Sequence, residues 1–175
     1  FREYHNIYAV SGILFNHESP LRGEEFVTRK IVKGLINITN KKQQVLKVGN
    51  LDSKRDWGFA KEYVQVMWKM MQLKEPQDFV ISSGKAYSVK HFIDLTLKQL
   101  GIKGKWIGKK NKRKFITSEN KTIIAVSPKL IRKKEYKLLI GNSSKAKKIL
   151  KWKPKISINK LVEIMVKEEK KFLLI

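Results

Sequence analysis

The stretch ILFNHESPLRGEEFVTRK, residues 13–30, passes abruptly from an apolar run into Asn16, His17 and Glu18, then Pro20 and Arg22. Ligands of open α/β sheets bind at the carboxyl ends of strands, so a polar cluster where a strand runs out is a candidate binding site. Arg29 and Lys30 follow on the next helical segment, Arg55 stands in KRDWG, and Arg132 and Glu135 stand in IRKKEY. The arginines are set apart by their background: of 39 basic residues 33 are Lys and 6 are Arg. Four of the six, Arg22, Arg29, Arg55 and Arg132, fall at or beside segment junctions. A guanidinium offers phosphate oxygens two parallel donors, where an ammonium offers a point charge. Singly, each reads as a surface or ion-pairing Arg. Together with Asn16 and His17 they point to an anionic ligand such as a pyrophosphate.

Other chemistries find less support. No G-x-x-x-x-G-K-[ST] or HExxH pattern occurs. GIKGKWIG offers glycines at 101, 104 and 108, but they follow a helical segment and lead toward a strand, the reverse of a dinucleotide-binding turn. No Tyr is followed four residues later by Lys, so an acid–base couple of that type is missing. His5, His17 and His91 have no metal-ligand spacing, and the lack of Cys removes disulfides and thiolate metal sites. Neither catalytic nor metal-ligating residues are therefore assigned. Trp57 and Trp68 read as core, with Trp57 packing near a ligand base as the alternative.

The elements that must position these residues alternate. IYAVSGILF, residues 7–15, reads as a buried strand. A helix follows in which Phe26, Val27, Ile31, Leu35 and Ile38 share a face and Glu24 and Glu25 occupy the first turn. QQVLKVG reads as a strand and NLDSKRDWG as a polar turn. FAKEYVQVMWKMMQ reads as a helix with Phe59, Tyr63, Val66, Met67 and Met70 on adjoining faces. DFVIS is a short strand, and Ser88 caps a helix stopped by Gly101. KWIG and TIIAV are strand candidates around a basic, flexible loop at 108–121. SSKAKKIL is a short helix and SINKLVEIMVKEEKKFLL a closing one. Alternation of this kind specifies an α/β domain.

At 175 residues the chain can bury one real core. Its net charge of +24 suggests nucleic acid or an acidic surface. The 19 isoleucines accompanying 33 lysines favour AT-rich coding as the source of much of that charge. No apolar run approaches the ~20 residues of a membrane helix, and no signal peptide is visible. The chain opens on Phe1, so either it was processed or it is a piece of something longer.

Four segments, GILFNHESPLRGEEFVTRKI, GNLDSKRDWGFAKEYVQVMWKMMQ, EPQDFVISSGKAYSV and KAKKILKWKP, are long, ordered and distinctive. Through them the chain closely resembles the GDP-mannose 4,6-dehydratase family of extended short-chain dehydrogenases/reductases, most weakly from about 102 to 128. The resemblance implies a Rossmann-like α/β fold. It implies that residues 1–175 are the carboxyl-terminal portion, the end of an NADP-binding sheet interleaved with a smaller substrate-binding region. The amino-terminal dinucleotide-binding half, with the catalytic Thr or Ser, Glu and Tyr-x-x-x-Lys pair, would lie upstream.

The implied reaction is dehydration of GDP-mannose to GDP-4-dehydro-6-deoxy-mannose with tightly held NADP. Carried over by position, His17 and Arg22 match residues near NADP. Asn16 matches a residue at the sugar-nucleotide diphosphate, Lys30 and Arg55 match GDP contacts, and Arg132 and Glu135 match later nucleotide contacts. The family often has Arg where this chain has Leu21, and commonly Pro where Lys133 stands. The resemblance further implies a cytoplasmic homo-oligomer, with no membrane partner and no specific nucleic acid, whose 175 residues do not turn over substrate alone. Another sugar-nucleotide epimerase or reductase, or a basic nucleic-acid-binding module, are the alternatives.

Overall fold

The segment 12–18 changes partners halfway along, and that switch organises the molecule. In the computed structural model, which describes residues 1–172, a short helix α1 (Arg2–His5) precedes β1 (Gly12–Leu14). β1 pairs in parallel with β5 (Phe79–Ile81), Ile13 lying beside Val80. The amide of Phe15 still donates to Ile81 O at 2.9 Å. One residue later the chain enters β2 (Asn16–Glu18), which runs parallel to β4 (Lys54–Phe59) with Asn16 opposite Trp57. The single strand expected over 7–15 is thus regular only at its end. Asn16 and His17 do not terminate it but open a second strand.

β4 is the centre of its sheet and lies within the segment expected as a polar turn. β6 (Ala86–Ser88) pairs with it antiparallel and β10 (Leu138–Leu139) parallel. Its sequence, KRDWGF, lacks apolar alternation because Arg55 shares a face with the core residue Trp57 and Asp56 occupies the other. One face carries Arg55 and Trp57 into a cleft. The other carries Asp56, which is fully buried and accepts from the amides of Ser83, Gly84 and Gly141 at 2.8, 2.9 and 3.2 Å. A buried carboxylate bonded this way pins backbone that would otherwise be unsatisfied.

A third sheet has the order β3–β9–β8–β7, formed by Leu46–Val48, Thr122–Val126, Lys114–Thr117 and Gly104–Ile107. β8 falls inside the expected flexible loop at 108–121. Phe115, buried in the core, anchors it among its lysines.

Helices α2 (Val27–Thr39), α4 (Val89–Gln99) and α6 (Ile158–Phe172) enclose the main core, in which Ile31, Leu35, Phe92, Ile93, Leu161 and Val162 are buried. α2 starts later than its periodicity suggested: Glu24 and Glu25 precede its first turn, and Glu24 pairs with Lys33. The Ser88 hydroxyl caps α4, accepting from His91 N at 3.1 Å, and Gly101 follows it at φ 69°. A second core joins Tyr63, Val66 and Met70 of α3 (Ala60–Met70) to Phe79, Ile81 and Trp152. α5 (Ser144–Ile149) adds Ala146 to it. Trp57 is core, but Trp68 is 65% exposed, because the stretch 63–71 buries only one side of its helix. The expected continuation of α6 through Leu173 and Leu174 lies outside the described residues. No helix among them is long and apolar enough to cross a membrane.

Candidate functional site

Strand periodicity divides the NHE triplet between two cavities. Side chains of Asn16 and Glu18 point to one side of β2 and that of His17 to the other. On the first side a cleft of about 520 Å³ opens against β4. Asn16 of β2, Lys30 of α2, Arg55 of β4, and Arg132 and Glu135 of the loop before β10 all line it. Its floor is apolar: Ile31, Val48, Trp57 and Val89 line it and are buried. Cations above an apolar floor suit a ligand with an anionic part and a flat or apolar part.

Arg55 is the most constrained of these groups. Its Nη1 donates to Lys54 O at 2.9 Å and Tyr136 O at 2.8 Å, and its Nη2 donates to Glu135 Oε1 at 3.1 Å. The other Glu135 oxygen accepts from Asn50 Nδ2 at 3.1 Å. Residues 135–136 are thereby held against β4, and the guanidinium is fixed at the cleft wall rather than waving in solvent. Lys30 and Arg132 also line the cleft and have no ion-pair partner among the described residues.

On the other side a cavity of about 330 Å³ is lined by His17 and Arg22 with Leu14, Phe15, Leu139 and, again, Asn16. His17 Nδ1–H donates to Phe15 O at 2.9 Å, and the ring stacks on Tyr63 with centroids 5.1 Å apart. That bond leaves Nε2 as the acceptor of the neutral ring. Arg22 lays its guanidinium 3.6 Å over the Phe26 ring, and its Nε is buried without a hydrogen bond. Glu18 Oε2 lies 3.4 Å from that nitrogen and accepts from Thr28 Oγ1 at 2.6 Å. Burial pushes the Glu18 carboxyl above its ordinary value of 4.5, against the opposing pull of Thr28, Arg22 and His17. Glu18 and Phe26 line the first cleft while Arg22 lines the second, so one contact chain joins the two cavities.

Of the residues singled out from the sequence, Asn16, Lys30, Arg55, Arg132 and Glu135 come together in one cleft, and His17 and Arg22 in its neighbour. Arg29 does not join them. Its Nε donates to Glu169 at 3.1 Å and its Nη1 to Arg22 O at 2.7 Å, so it fastens α2 to α6. Sequence reasoning missed Ser53, Asn50, Phe26 and Lys129 as cleft residues. The alternation Ser53, Arg55, Trp57, running into β4, was the available signal, hidden because that stretch reads as a turn.

Two solved structures share this arrangement of elements. RMD from Pseudomonas aeruginosa complexed with NADPH superposes with a TM-score of 0.75 at 15% identity, covering 97% of this chain and 50% of that one. dTDP-glucose 4,6-dehydratase from Bacillus anthracis in complex with NAD gives 0.74 at 13% identity, covering 97% and 47%. The fold is that of the extended short-chain dehydrogenases/reductases. A family model described as GDP-mannose 4,6 dehydratase matches residues 1–165. A GDP-mannose 4,6-dehydratase of Vibrio cholerae is 45% identical over 177 residues, which cover 95% of this chain and 48% of that protein. The chain belongs to the GDP-mannose 4,6-dehydratase family. It spans about half the length of the curated relatives it matches.

Proposed function

We propose that this chain supplies the nucleotide-sugar cleft, and part of the NADP contact, of a lyase that converts GDP-mannose to GDP-4-dehydro-6-deoxy-mannose. The observation that carries this is the convergence of Asn16, Lys30, Arg55, Arg132 and Glu135 on one cleft with an apolar floor. In this reading Lys30, Arg55 and Arg132 neutralise the diphosphate, and Asn16 holds it at the junction of the two cavities. Charge-assisted bonds of this kind contribute about 1.5–3 kcal/mol each. Glu135 accepts from hydroxyl or N–H donors of the nucleoside. The apolar floor receives the flat base.

The neighbouring cavity fits an anionic cofactor: Arg22 Nε is buried without a hydrogen bond, Glu18 Oε2 standing 3.4 Å away, and His17 is held in place by the Phe15 carbonyl and the Tyr63 ring. His17 and Arg22 would hold NADP there. When bound, NADP supplies the hydride acceptor and donor for the reaction. This chain's residues then orient the sugar between the cavities. The β1–β5 pair is the end of the cofactor-binding sheet, and the remainder forms the substrate-binding region. The residues that break bonds belong to the other half of the family's length, and the whole enzyme is a homo-oligomer.

The test titrates GDP-mannose and UDP-glucose into the protein and assays NADP-dependent turnover. GDP-mannose should bind more tightly by about tenfold or more, which is 1.4 kcal/mol, and the 175 residues alone should form no product. Equal affinity for UDP-glucose, or turnover by these residues unaided, would refute the proposal.

A further inference from the structure

Ser53 lines the cleft immediately before β4, two residues from Arg55 and therefore on the same side of the strand. It is 2% exposed, and its Oγ has no hydrogen-bond partner among the described residues. Its carbonyl is held in the fold, accepting from Val89 N at 3.1 Å. A buried hydroxyl left unpaired costs stability and calls for an explanation. Val48, Trp57 and Val89 line the same cleft floor and are buried, and none of them hydrogen-bonds the hydroxyl. Of the cations that would meet phosphate, Arg55 follows on the same strand, while Lys30 and Arg132 come from other segments of the cleft.

We propose that Ser53 is a specificity-determining residue, whose hydroxyl bonds a polar atom of the nucleoside, on the base edge or the ribose, once that nucleoside covers the apolar floor. The inference rests on the nucleotide-sugar reading above. A serine has one side-chain torsion, so a rotamer change is enough to carry the oxygen onto a ligand atom. The same hydroxyl donates and accepts, so it can match either an oxygen or an N–H. Unpaired in the free protein and paired in the complex, it rewards ligands that carry the partner atom and penalises those that lack it.

The experiment compares wild-type and Ser53→Ala protein for binding of GDP, inosine diphosphate, 2′-deoxy-GDP and 3′-deoxy-GDP, together with thermal unfolding without ligand. Ser53→Ala should weaken GDP binding about fivefold to tenfold. One analogue should bind the two proteins equally, identifying the atom that Ser53 meets. The free variant should melt at the same temperature or higher, since an unsatisfied buried group has been removed. A merely structural serine would instead lower the melting temperature. Unchanged GDP affinity, or an equal loss for GDP and all three analogues, would overturn the inference. Absence of GDP binding to the wild type would reject the underlying nucleotide reading instead.

Discussion

Around β4, cations from separate segments face one concavity; along β7 and β8, the cations of a single segment fan outward. Lys30, Arg55 and Arg132 reach the cleft from a helix, a strand and a loop, above side chains that are buried and apolar. Lys105, Lys109, Lys110, Lys112 and Lys114 are all exposed. Arg113, their one arginine, is already spent: Nη1 and Nη2 grip the two Asp52 oxygens at 2.8 and 2.5 Å. The segment also makes structural contacts, as where Trp106 Nε1 donates to Asp94 at 2.7 Å. Exposed charges are screened within about 8 Å at physiological salt, whereas groups at a partly dry wall act at full strength on whatever enters. Charge density therefore locates nothing in this protein. Convergence over an apolar floor is what sets the candidate cleft apart.

The hardest test of that contrast is Arg55→Ala. It removes the phosphate donor proposed above and also the clasp holding Glu135 and the Tyr136 carbonyl against β4. Calorimetry should show GDP-mannose affinity falling about 30- to 100-fold, or ~2–3 kcal/mol. A loss below about threefold would erase the distinction between cleft and hairpin.

A medium effect separates the regions by pH. Glu18 ionises less readily in the folded chain than in the unfolded one, because burial raises its pKa above the ordinary 4.5. The folded state thus keeps the proton longer, and this stabilising contribution is lost as pH rises from the ordinary value through the raised one. Asp52 at the hairpin's base has the opposite sign. Its hydrogen bond to Arg113 lowers the pKa below 3.8, so its contribution is present above that value and lost as pH falls. Urea unfolding across pH should show a flatter decline above 4.5 for Glu18→Gln, which keeps a partner for Thr28. A steeper decline would mean that the carboxylate is not penalised by its site.

The smallest effect belongs to the hairpin. Replacing Lys105, Lys109 and Lys112 together by Gln should leave GDP-mannose affinity within about twofold and stability within about 0.5 kcal/mol. A large loss of binding would place a working surface where only solvated charge is visible.

The α2, α3 and α4 segments were legible because amphipathic periodicity, the Ser88 cap and the Gly101 stop are local signals. β4 was not, since its inward-facing residues are Asp56, which serves backbone amides, and Arg55 and Trp57, which serve a cleft. β8 was not, since Phe115 alone betrays a buried face among lysines. Arg29 and Arg55 look equivalent in the chain, each an arginine near a junction. Glu169, 140 residues away, claims one of them, and only folding brings it there.

By itself the sequence determined the α/β alternation, the places of the main helices along the chain, and which residue types could grip an anion. Those properties depend on neighbours along the chain. Tertiary structure decided that the NHE triplet would serve two cavities, that one arginine would be structural and another would face the cleft, and that Ser53 would be left without a partner. These depend on which strand lies beside which, and pairing across 40 or more residues is set by the summed burial of both cores rather than by any local pattern.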